Sequence, residues 1–92
     1  MRYAKRRDAS EPAIVEALEA VGCDVVRTDE IDLIVGRAGV SWLLEVKPPG
    51  MDTESRIRPL QRRLRDNWRG QYAIVTTPDE ALQAIGISHR GG

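Results

Sequence analysis

The chain has 92 residues with 14 basic and 14 acidic side chains, so its formal net charge is zero with histidine neutral. That length makes one domain with a thin core, and 41% apolar with 30% charged residues are the fractions of a soluble globular chain. No apolar run nears the ~20 residues that span a bilayer, the basic start MRYAKRR lacks a signal peptide's apolar stretch, and one Cys with one His excludes both a disulfide framework and a Cys/His zinc site. A cytoplasmic chain without a membrane partner is expected.

In chain order, Ser10 reads as an N-cap and Pro12 fits the first turn of a helix running to about Val21. Ile14, Ala17, Leu18 and Val21 form its apolar stripe, and Gly22 stops it. Glu11 lies three and seven residues before Ile14 and Leu18, so it belongs to the inward stripe and needs a partner there. Short strands follow at Asp24 to Thr28, Ile31 to Gly36 and Val40 to Lys47, the last two closed into a hairpin by Arg37-Ala38-Gly39. Pro48-Pro49-Gly50 ends the third strand and opens a polar loop. Pro59 begins a second helix to about Trp68, with Ile57, Leu60, Leu64 and Trp68 on its buried side. Tyr72 to Thr76 is a fourth strand, and Thr77-Pro78-Asp79-Glu80 is a capping box for a last helix through Ile85, leaving a frayed tail over 87–92.

The order α-β-β-β-α-β-α makes a single α/β domain over 1–92. Its strand-helix-strand step sets the last two strands parallel, giving a small mixed sheet flanked by helices.

Charge is unevenly distributed along the chain. Arg2, Lys5, Arg6 and Arg7 form a basic arm over residues 1–7, and Arg56, Arg58, Arg62, Arg63, Arg65 and Arg69 crowd one short segment. Twelve of the 14 basic residues are Arg, the planar fork that suits phosphate oxygens, although a run of charge also suits a plain solvated helix face.

Asp32, Glu45 and Lys47 stand inside apolar strand-like runs, where a buried unpaired carboxylate is costly. Alternation puts Glu45 and Lys47 on one face, and a two-residue Ala38-Gly39 turn sets Asp32 opposite Glu45, with Cβ atoms ~5 Å apart. Carboxylates that close repel unless a cation or a proton lies between them, and magnesium takes one or two carboxylates with water and phosphate. The bland alternative is a surface pair of Glu45 with Lys47 and an Asp32 that belongs to the Asp29-Glu30 turn. Hydroxyl or thiol nucleophiles fit badly, since His89 lies in a Gly-rich tail and Cys23 has no base beside it, and no Gly-rich phosphate loop is present.

Asp32, then Glu45-Val46-Lys47, then a loop and a helix bearing Gln61 resemble the PD-(D/E)XK nucleases, most closely the stand-alone VRR-NUC domains of phages and bacteria. With Glu11 on the first helix, the resemblance runs from about Asp8 to Trp68; Ile31 replaces the usual proline before the Asp, a backbone-shaping residue that binds nothing. The resemblance implies a restriction-endonuclease-like core and a metal-dependent DNA endonuclease. It implies that Asp32 and Glu45 ligate Mg²⁺ or Mn²⁺, with the Val46 carbonyl as third ligand and Glu11 completing or supporting the site. Lys47 would orient the attacking water, and Gln61, a surface residue on composition alone, would reach the Lys47 region.

Lys5, Arg6, Arg7, Arg56, Arg58, Arg62 and Arg65 are the expected DNA-binding residues. Four-way junctions rank ahead of flaps as substrate, in replication, recombination or repair, and a homodimer would supply two active sites. A catalytically weak DNA-binding or recruitment module on the same fold is the alternative.

Overall fold

The structure, a computed structural model, describes residues 10–48, 50 and 58–87. The basic arm with Lys5, Arg6 and Arg7, the loop residues Arg56 and Ile57, and the tail beyond Ile87 lie outside the described residues.

Among the described residues, three helices and four strands follow in the expected order: α1 (Glu11–Ala20), β1 (Asp24–Arg27), β2 (Leu33–Arg37), β3 (Val40–Val46), α2 (Pro59–Asn67), β4 (Tyr72–Val75) and α3 (Pro78–Ala84). The strands form one mixed sheet in the order β1-β2-β3-β4, antiparallel except for the parallel β3–β4 pair. Among the described residues no helix is long and apolar enough to cross a membrane.

Ser10 departs from the expected cap. It has helical dihedrals and makes no side-chain cap hydrogen bond, while its carbonyl accepts from Ile14 N at 3.2 Å. At the other end Gly22 takes φ +91°, where an L side chain is strained, and lets Cys23 N turn back to Leu18 O at 3.1 Å. Arg37 Nε donates to Val21 O at 3.0 Å, setting a cation on the negative end of α1.

Ile14, Val15 and Leu18 of α1, Ala81 and Leu82 of α3 and Ile85 at its C-terminal end bury against Leu33, Val35, Trp42, Leu44, Val46 and Val75, one face of the sheet. The alternate residues Leu43 and Glu45 of β3, with their β4 partners Tyr72 and Ile74, point to the opposite face. There α2 buries Gln61 and Leu64.

Trp68 does not belong to that buried side. It leaves α2 with extended dihedrals (φ −68°, ψ 129°), so helical periodicity ends before it and the ring is exposed, while Leu60 is only half-buried. The last capping box is also displaced by one residue. Glu80 N donates to Thr77 Oγ1 at 3.1 Å as expected, but the Glu80 carboxylate accepts from Thr76, through its N–H and its hydroxyl.

Candidate active site

The β2–β3 turn sets the geometry. Ala38 (φ 54°) and Gly39 (φ 82°) both take positive φ, the dihedrals of a two-residue type I′ turn whose twist matches the strands. The resulting pairs run from Arg37↔Val40 to Leu33↔Leu44, and Asp32 and Glu45 are the next residues beyond that last pair. Asp32 lies just ahead of β2 rather than within it.

Asp32 is held there by a compact loop. Thr28 N donates to Asp32 O at 3.0 Å, Ile31 N donates to Thr28 Oγ1 at 3.0 Å, and the Thr28 hydroxyl donates to Ile31 O. Arg58 Nη2 donates to Glu30 O at 3.3 Å, tying the start of α2 to the same loop. The Asp32 carboxylate accepts from Val46 N at 2.8 Å. Both acids are buried, Asp32 at 5% and Glu45 at 0% exposure, which removes the reading of Glu45 with Lys47 as a solvated surface pair.

Gln61 is buried, although its residue type favours the surface. Its Nε2 donates to Glu45 Oε1 at 2.8 Å, and its Oε1 accepts from Arg58 N at 3.2 Å. The observed partner of its amide is Glu45, where the Lys47 region was expected. One side chain thereby caps α2 and orients a buried carboxylate. Lys47 is half-buried, and its N–H donates to Val75 O at 3.0 Å, extending the β3–β4 ladder so that alternation keeps it on the Glu45 face.

Glu11 is drawn elsewhere. It is buried as the helical stripe requires, but its Oε2 pairs with Arg27 Nε at 3.2 Å. Arg27 shares a face with its antiparallel partner Leu33, on the α1 side of the sheet, whereas Glu45 faces α2. Among the described residues no group of three or more Asp, Glu, His or Cys side chains stands ready to hold a metal, so Glu11 does not complete a three-acid site. The remaining donor set is two opposed carboxylates, hard oxygen ligands of the number magnesium takes when water and phosphate fill its other positions.

Local sequence rules mark Tyr72 only as a strand residue. Its pairing with Leu43 puts it on the Glu45 face, and its buried hydroxyl has no hydrogen-bond partner among the described residues. Burial, then the charges of Glu45 and Asp32, push its phenol well above the usual range. The register of β4 on β3 is the signal that places it there. Cys23 is a buried thiol pushed up chiefly by desolvation, in line with a plain core residue.

Of the expected phosphate-binding arginines, Arg58, Arg62 and Arg65 are exposed. Arg58 is engaged on the Asp32 loop, and Arg65 Nε pairs with Asp66 at 2.9 Å, a hydrogen bond that holds the exposed Asp66 carboxyl below its usual range. Comparison with family models, curated proteins and solved structures gives no match to this chain.

Proposed function

We propose that this chain is a metal-dependent endodeoxyribonuclease with a restriction-endonuclease-like core. The observation that carries the reading is the buried pair of Asp32 and Glu45, opposed across the hairpin and oriented by Val46 N–H and by Gln61. Asp32 and Glu45 would hold Mg²⁺, or Mn²⁺ in its place, with the Val46 carbonyl beside them. The ion, when bound, lowers the pKa of a coordinated water and neutralises phosphate charge. Gln61 keeps the Glu45 carboxylate aimed, and Lys47, on the same face, orients the attacking water and offsets charge on the phosphorane-like transition state. Arg62 and Arg63 of α2, together with Arg69 just beyond it, offer guanidinium groups to the DNA backbone. The substrate is branched DNA, four-way junctions ahead of flaps, cut in the cytoplasm by a homodimer that supplies two sites.

The test is cleavage of labelled four-way junction, flap and duplex in Mg²⁺ or in EDTA. Asp32→Asn should abolish cutting in Mg²⁺ while DNA binding is kept or strengthened, because one charge that repels phosphate is removed. Full activity of that variant would overturn the assignment.

A further inference from the structure

We propose that Trp68 is a stacking platform for an unpaired base of single-stranded DNA, an inference that deepens the nuclease reading and rests on its nucleic-acid partner. Trp68 is 49% exposed, although Leu64, one turn earlier on the same stripe, is buried. Its ring comes close to Gly70, where an added Cβ would come within 2.5 Å of Nε1 and 2.9 Å of Cε2. A larger residue at that position would push the ring aside, so Gly70 leaves the indole room to lie where it does. Beside the ring is a recess of about 150 Å³ lined by Arg63, Leu64, Asn67 and Trp68.

These groups suit a nucleotide better than an apolar partner. An exposed aromatic face stacks any base, the Asn67 amide has donors and an acceptor for a base edge, and Arg63 offers a guanidinium to a phosphate. Arg62, Arg65 and Arg69 are exposed around them, against the single acid Asp66, which favours a polyanion and disfavours a second copy of this face.

Position ties the platform to the site. Trp68 follows Gln61 by seven residues, about 10 Å along the helix axis, and Gln61 touches Glu45. That span is short enough for a few nucleotides of one strand to bridge. A strand with its phosphodiester at Glu45 therefore sets a base on Trp68 when that stretch is unpaired, which selects flaps and opened junction arms over plain duplex.

The experiment uses the full chain in EDTA, so that binding is read without cleavage. Oligothymidylate and a blunt duplex are titrated against wild type, Trp68→Phe and Trp68→Ala, with circular dichroism to show that each is folded. Because Trp42 is buried, quenching of the solvent-exposed emission reports Trp68. Oligothymidylate should quench it, Trp68→Ala should weaken that binding about tenfold or more, Trp68→Phe should keep most of it, and duplex affinity should hold within about twofold. Oligothymidylate binding by Trp68→Ala at wild-type strength would overturn the platform. So would a Trp68→Ala chain that loses a dimer, and with it single-strand and duplex binding alike, since the face would then be a self-contact. Quenching by oligothymidylate in a wild-type chain that never cuts DNA would support the platform and remove the nuclease.

Discussion

Replacing Glu45 by Gln tests the opposed pair without relying on catalysis. Asp32 and Glu45 lie one step beyond the Leu33↔Leu44 pair, which puts their Cβ atoms about 5 Å apart. Two unit charges at about that separation repel by up to about 3 kcal/mol at an effective dielectric of about 20, less to the extent that a proton is taken up between them. The substitution also turns the charge-assisted bond from Gln61 Nε2 into a neutral one, a loss of about 1 kcal/mol. The balance is a gain of up to about 2 kcal/mol for the metal-free variant at neutral pH, or a Tm higher by up to about 8–16 °C in a domain of this size. Magnesium should reverse the order. At a hundred times its Kd a ligand stabilises by about 2.7 kcal/mol, and only the wild type has both carboxylates to take it up. Thermal melts followed by circular dichroism, in EDTA and in excess MgCl₂, read both effects. A Glu45→Gln chain that melts below wild type in EDTA, together with a wild type indifferent to Mg²⁺, would refute the reasoning.

Ala38 occupies a left-handed conformation at φ 54°, which costs an L residue roughly 1–2 kcal/mol. Ala38→Asn, giving the favoured Asn-Gly turn, should raise stability by about 1 kcal/mol in urea titrations; a loss would contradict the type I′ turn that sets Asp32 opposite Glu45. The Tyr72 phenol titrates higher in the folded chain than its ordinary value near 10. Its titration leaves stability unchanged below about pH 10 and lowers it as pH rises beyond that, by at most about 1.4 kcal/mol per pH unit. Tyr72→Phe should flatten that alkaline limb and, by removing a buried hydroxyl that has no partner among the described residues, stabilise the chain at pH 7 by about 1 kcal/mol; an unchanged alkaline limb would place the hydroxyl in water. Replacing Arg62, Arg63 and Arg65 together by Gln should reduce the slope of log affinity against log salt on duplex DNA by about 0.9 for each phosphate that these guanidinium groups neutralise in the wild type, and an unchanged slope would return them to a solvated helix face.

Local rules in the sequence were enough for the element order, the parallel last pair and the register of the hairpin. Side-chain alternation has a period of two, and a two-residue turn leaves one parity, so Asp32 opposite Glu45 follows from Ala38-Gly39 alone. Helical spacing likewise placed Glu11 inward. Its partner was not local: the strand under the start of α1 is β1, so Arg27, 16 residues on, meets the carboxylate on the face away from Glu45. Gln61 needed the same kind of information. Its amide reaches Glu45 because α2 crosses the face of the sheet that α1 and α3 leave open. Trp68 shows the opposite failure, a periodicity carried one residue too far, since the backbone turns extended at that position and brings the indole close to Gly70. Periodicity fixes which way a side chain points within its own element, and what it meets is decided by packing between elements distant in the chain.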